Sequence, residues 1–260
     1  MRSLEIGAPG RYTTKWRRSI AAGGLSMGLP NGVHHIAIAT KDIKQQIEFY
    51  TQVAGMELVA LYWMHGVEKT FHGFLRMNDS SSIAFVQGPE MASIEGVPGV
   101  SHAPWTASPV APGVMQHLAL NVDTYADLLA IRDRVRSHGH WIMGPIDHGF
   151  CKSIYLAAPE GLMLEFSTSE GNSIDSEAWI DPEVVGLAGI NAEELARYKN
   201  PPAFESKGGK VAQPAPDPSK PLMKYPQGRR ANVWTMSDEE VLRTMSETTP
   251  PVQTKKTKAA

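Results

Sequence analysis

Two segments that start 82 residues apart, His35-Ile-Ala-Ile-Ala and His117-Leu-Ala-Leu-Asn, agree closely in residue type. Each alternates large apolar residues with small or polar ones, the pattern of a strand with one buried face. Each then runs into a helix-period segment. After the first, Ile43, Ile47 and Tyr50 fall at helical spacing and Gly55 follows as a stop; after the second, Leu128, Ile131 and Val135 do the same ahead of Gly139. Strand-like runs come next at about 57–64, 69–76 and 82–87, and in the second copy at about 140–144, 152–157 and 162–168. The order β-α-β-β-β therefore occurs twice, and the economical fold is α+β: two tandem βαβββ modules, each burying one sheet face under its helix.

The rest of the chain divides around this repeat. The expected organisation is an N-terminal arm over 1–32, a first module over 33–90, a linker over 91–113, a second module over 114–170, a helical extension over 171–200 and a Pro-rich tail with a short helix over 201–260. Gly88–Gly113 holds five prolines and little periodicity, and connections of that length usually serve function or motion. Asn191 precedes two acidic residues as a helix N-cap, and Ser237-Asp-Glu-Glu240 reads as a capping box. The arm and the tail each carry a net charge of +4, which leaves −10 on residues 33–200.

The overall charge of −2 lacks the basic footprint of a nucleic-acid binder. No run approaches 18 apolar residues, so no membrane span is expected. The single cysteine, Cys151, excludes an intrachain disulfide or a CxxC motif and suits a cytoplasmic protein. Arg17-Arg18 is followed by a short Gly-rich stretch without a small-x-small cleavage site, so the arm is expected to wrap the body or a partner subunit in a homo-oligomer.

Strand alternation assigns the chemistry. Ile36 and Ile38 share the face beneath the helix, which leaves His35, Ala37 and Ala39 on the open face; the second copy likewise opens His117, Ala119 and Asn121. Glu165 interrupts an apolar run, Leu162-Met-Leu-Glu-Phe, where an unpaired carboxylate is costly and calls for a cation or a donor. Two histidines and one carboxylate form the facial set that suits non-haem Fe(II), with Mn2+ or Zn2+ as alternatives. A five-residue hairpin loop at Ala158–Leu162 would set Tyr155 opposite Glu165, with His148 the nearest further polar group. His72 lies on a strand of the first copy, and Trp63, Phe71, Phe74 and Trp105 are rings able to line an aromatic pocket.

Through the two histidine-led strands, the run Gly73-Phe-Leu-Arg-Met-Asn-Asp-Ser-Ser-Ser-Ile-Ala-Phe-Val86, and Gly144-Pro-Ile-Asp-His-Gly-Phe-Cys-Lys-Ser-Ile-Tyr-Leu156 leading to Glu165, the chain resembles the vicinal oxygen chelate (glyoxalase, bleomycin resistance, dioxygenase) superfamily over roughly 33–170. Within it, the type I extradiol ring-cleavage dioxygenases are the most similar. The resemblance implies open-barrel sheets around a metal site, with His35, His117 and Glu165 as ligands to Fe(II) and His148 and Tyr155 as catalytic groups. It further implies a catechol-like substrate and O2. Two positions depart from related patterns. Ala84 stands where four-ligand members carry a second Glu, and Ser81 stands where the extradiol enzymes carry an acid/base histidine. The competing expectations are a divalent-metal-dependent lyase, isomerase or epimerase of the same fold and a non-catalytic binding module.

Overall fold

Each copy of the repeat builds one four-stranded mixed sheet. The computed structural model describes residues 30–205, 208–225 and 233–253; the expected N-terminal arm, except for its last three residues, and parts of the tail lie outside the described residues. In the first module β1 (His35–Ala39) leads to α1 (Ile43–Glu48), which widens into a π-helical turn over Phe49–Val53, and then to β2 (Glu57–Trp63), β3 (Phe71–Asn78) and β4 (Ser81–Gln87). The second repeats the plan with β5 (Leu118–Asn121), α2 (Tyr125–Ser137), β6 (Met143–Asp147), β7 (Lys152–Ala157) and β8 (Met163–Thr168). The strand orders, β1-β4-β3-β2 and β5-β8-β7-β6, are the same, and in each the first strand runs parallel to the last while the other pairs are antiparallel. Both sheets are open, as expected.

One boundary moved for a visible reason. The strand expected at about 140–144 starts at Met143, because the chain is still unwinding from α2: Gly139 N–H donates to Arg136 O, and His140 N–H to Val135 O.

The buried faces meet in one contiguous core. Tyr50, Phe49 and Ile43 pack with Leu75, Ile83 and Phe85, and Leu128 and Val135 pack with Leu118, Ile154, Leu164 and Phe166. Two polar clasps join the modules. Arg134 of α2 donates to Gln52 O (3.0 Å) and Thr51 O (3.2 Å), and its guanidinium occupies the space a Cβ at Gly55 would need. Gly55 has φ +79°, so glycine there serves both the turn and the close approach. On the other side, Glu160 in the β7–β8 turn accepts from Thr40 Oγ1 (3.0 Å), Lys41 N–H (3.0 Å) and Gln46 Nε2 (3.3 Å).

The linker has little regular structure beyond a 3-10 turn at Met91–Ser93. It walls a cavity of about 810 Å³ with Ile38, Phe85 and Leu162, on the side of β1 opposite His35. After β8 come α3 (Ser176–Trp179) and α4 (Pro182–Leu187), capped by Asp175 and Asp181. A separate compact unit, Ile190–Val211, holds α5 (Ala192–Lys199), whose capping box joins Asn191 and Glu194. In the tail, Ser237 and Glu240 form the expected box on α6 (Asp238–Met245), and Thr244 and Glu247 share a cavity of about 490 Å³ with His65. Among the described residues no helix is long and apolar enough to cross a membrane.

Candidate functional site

The second module assembles four polar side chains. Glu165 lies in β8 between the fully buried Leu164 and the nearly buried Phe166 and is itself only 6 % exposed. Its register partner on β5 is Ala119, whose missing bulk leaves the open face clear. His117, two residues before Ala119, brings Nε2 to 3.0 Å from Glu165 Oε2.

The neighbouring amide bears on which imidazole nitrogen carries the proton. Gln116 Nε2 donates to Thr106 O in the linker, so Gln116 Oε1 is the atom that meets His117 Nδ1. A carbonyl oxygen only accepts, so Nδ1 bears a hydrogen and, in the neutral ring, Nε2 presents a lone pair. Two acceptors then face each other across 3.0 Å beside a buried charge. Such an arrangement needs a positive centre, either a proton on Nε2 or a divalent cation. The donor set, one imidazole nitrogen with its other nitrogen held by an amide and one carboxylate, fits a first-row metal ion.

Tyr155 stands directly across from Glu165 in the β7–β8 pair. The turn between them is the five-residue Ala158–Leu162 loop, flanked by the Ala157–Met163 pair, so loop length sets this register. The phenol shares a 2.8 Å hydrogen bond with His148 Nε2. Burial pushes the Tyr155 hydroxyl above its ordinary range, and the nearby Glu165 carboxylate adds to the rise.

His148 is held in the β6–β7 turn by a small network. Its N–H donates to Cys151 O, and Asp147 accepts from Gly149 N–H (2.8 Å) and pairs with Lys152 Nζ (3.3 Å). The Gly149 hydrogen bond, with Lys152 second, holds the Asp147 carboxyl below its usual range. Gly149 has φ +85°, and the ring of Trp179 lies 3.0 Å from where a Cβ would stand. Trp179 also meets Phe150 edge-on at 4.8 Å. The helical extension thus buttresses the turn that presents His148.

His35 occupies the matching place on the first sheet, two residues before Ala37, which pairs with Ala84. Its Nδ1 is 2.9 Å from His34 Nδ1, and its ring is 5.5 Å from Phe74. Among the described residues no three His, Cys, Asp or Glu side chains gather about a single point. His117, Glu165, Tyr155 and His148 are therefore brought together, while His35 has other neighbours. Ala84 is the register equivalent of Glu165, and Ser81 opens β4 beside the β3–β4 turn, opposite Asn78.

Of the aromatic residues singled out, register puts Phe74 on the face of His35, whereas the rings of Phe71 and Trp63 meet at 4.8 Å, tilted by 44°, on the other face. Sequence reasoning missed Gln116 and Trp179. Gln116 had a signal, an amide adjacent to a candidate ligand; Trp179 had none.

No curated protein matches the chain. Among solved structures it is similar to a glyoxylase/bleomycin resistance protein/dioxygenase domain from Frankia sp. EAN1pec (14 % identity, TM-score 0.42, covering 54 % of this chain and 99 % of that one). It is also similar to lactoylglutathione lyase from Agrobacterium tumefaciens (17 %, 0.38, 54 % and 96 %) and to TnmS3, an antibiotic binding protein from Streptomyces sp. CB03234 (19 %, 0.39, 55 % and 98 %). The model of one family, the Glyoxalase/Bleomycin resistance protein/Dioxygenase superfamily, matches residues 32–166, over half of the chain and both sheets except the last two residues of β8, and the chain belongs to that superfamily.

Proposed function

We propose that this chain is a non-haem Fe(II)-dependent extradiol-type dioxygenase that opens a catecholic ring with O2. The observation that carries the reading is the approach of His117 Nε2 to the buried Glu165 Oε2, with Gln116 holding the opposite imidazole nitrogen. His117 and Glu165 would hold the ion, with His35 as the third ligand from the first module; the same donors accept Mn2+ or Zn2+. When bound, Fe(II) would supply one-electron chemistry between a catechol and O2.

The chain's own groups handle protons. Burial keeps the Tyr155 hydroxyl protonated, so it can donate to an oxygen that gains negative charge during ring opening. His148 Nε2, 2.8 Å away on an exposed turn, is in place to replenish that proton from solvent.

A second reading, a metal-dependent lyase, isomerase or epimerase, is favoured by Ser81, which offers no imidazole for acid/base work on a catechol, and by a Tyr155–His148 pair equally suited to proton transfer next to a carbonyl. Anaerobic loading with Fe(II), followed by oxygen uptake on a panel of catechols, separates the two. The expected result is oxygen consumption with a yellow ring-opened product; no uptake with any catechol by iron-loaded protein overturns the dioxygenase reading. Glu165→Ala is expected to lose bound metal, and unchanged metal content in that variant refutes the ligand assignment.

A further inference from the structure

The clasp that joins the modules at Glu160 leaves one of its polar atoms unused. Gln46 is only 2 % exposed, and its Nε2 is the atom turned to Glu160 Oε2 (3.3 Å), because a carboxylate only accepts. The other end of the amide, Gln46 Oε1, makes no hydrogen bond among the described residues, and Gln46 lines the cavity of about 810 Å³ between β1, the linker and the β7–β8 turn. Unmet acceptors on nearly buried side chains are uncommon, since each is costly. Glu160 lines the same cavity. Its Oε1 accepts from Thr40 and from Lys41 N–H, whereas Oε2 accepts only from Gln46. Among the described residues no cationic side chain pairs with this carboxylate; Lys41 reaches it through its backbone alone. Two acceptors, one of them charged, therefore meet at the cavity and lack a donor that carries positive charge.

Much of the remaining wall is apolar. Ile38 and Phe85 face the cavity from paired positions on β1 and β4, and Leu162 and Met91 add to it. The linker is fastened over them at His102: its ring lies where a Cβ at Gly161 would stand, with Nε2 2.7 Å from that point, and its Nδ1 meets Ser101 Oγ at 2.9 Å. A volume of this size suits a small organic molecule, and apolar walls with a few convergent polar atoms are what such molecules need. Glu95 puts a second carboxylate on the wall against Lys41, so a ligand acid would meet like charges.

We infer that the cavity beneath the linker is a second binding site, for a small molecule that joins a protonated amine to an apolar body. The ammonium donates to Gln46 Oε1 and Glu160 Oε2, and the apolar body lies along Ile38, Phe85 and Leu162. The site is on the side of β1 opposite His35, so it is separate from the candidate metal centre, and it stands independently of the ring-opening reading. It also gives the linker a task beyond connection, since the linker supplies one wall of the site.

The test is fluorescence titration of the full chain at pH 7 with 1-naphthylmethylamine, beside its neutral and anionic counterparts 1-naphthalenemethanol and 1-naphthaleneacetate. The amine is expected to bind at least about fivefold more tightly than the alcohol, and the acetate more weakly than either. Glu160→Gln is expected to weaken the amine about tenfold and the alcohol less than about threefold, which removes the preference. Lys41→Gln, which takes a competing cation from the wall, is expected to tighten amine binding. Ala92→Trp sets a bulky ring into the cavity from an exposed linker position and is expected to weaken amine and alcohol alike, by about tenfold or more. Thermal melts of the same variants separate lost binding from lost fold, and Ala92→Trp, which lies outside the clasp, decides the matter if Glu160→Gln does not fold. A wild type that fails to bind the amine, that prefers it by less than about fivefold, or that prefers the acetate overturns the inference, as does amine affinity within about twofold of the wild type in Ala92→Trp.

Discussion

The clasp at Glu160 gives the sharpest test of how the modules are held in register. The carboxylate accepts three hydrogen bonds from the first module, two of them from Thr40 and Gln46, each only 2 % exposed. Glu160→Ala leaves both buried donors short of an acceptor, though Gln46 Nε2 retains a 3.4 Å contact to Thr40 Oγ1. At about 1–3 kcal/mol for each buried group left unmet, and little for the exposed Lys41 N–H, the expected loss is about 2–4 kcal/mol. Glu160 also sits at φ +62°, where a side chain is strained. Glu160→Gly makes the same cut but relieves that strain, so it should be more stable than Glu160→Ala by about 1 kcal/mol. Glu160→Gln keeps one accepting oxygen but turns an amide NH2 toward that of Gln46, which places it between the wild type and glycine. The assay is urea unfolding at pH 7 followed by tryptophan fluorescence and circular dichroism. Glu160→Ala within about 0.5 kcal/mol of the wild type, the range of an ordinary surface change, refutes the clasp. A glycine variant less stable than the alanine one refutes the strain argument.

Three other outcomes follow from single groups. Tyr50 is fully buried, its hydroxyl has no partner among the described residues, and burial pushes its pKa up. Tyr50→Phe should therefore stabilise by about 1 kcal/mol in the same assay. The folded protein holds that phenol proton more tightly than the unfolded chain, so its linkage term is fully present below the ordinary tyrosine value and is lost as pH rises toward the folded one; a wild type and a Tyr50→Phe variant with equal alkaline slopes would contradict this. Gly149→Ala forces a Cβ into the Trp179 ring at positive φ, and should cost about 1–3 kcal/mol and slow turnover through misplacement of His148; unchanged stability and rate would count against the buttress. Gln116→Leu removes the acceptor at His117 Nδ1 and should weaken metal retention about 10–100-fold against a competing chelator, and equal retention would dismiss the amide's role.

Alternation along β1 and β5 and the five-residue loop ahead of β8 were legible because each depends on local rules: a period of two fixes the face, and loop length fixes the register. Those rules place His117, Glu165 and Tyr155 on one surface from the sequence alone, and the structure agrees. They say nothing about contacts made across modules. The Glu160 and Arg134 clasps join residues more than 80 positions apart, and neither residue carries a motif; Glu160 at a positive φ runs against local preference and is sustained by its distant partners. Ring orientation is equally nonlocal. Whether His117 offers a lone pair or an N–H toward Glu165 depends on Gln116, and Gln116 depends on a linker carbonyl, Thr106 O, that no periodicity reveals. The prolines that strip the linker of helix and strand also leave its carbonyls free to do this. A segment that reads as a passive connection therefore holds the amide beside a candidate ligand, and the duplicated halves differ chemically through what surrounds their shared histidine.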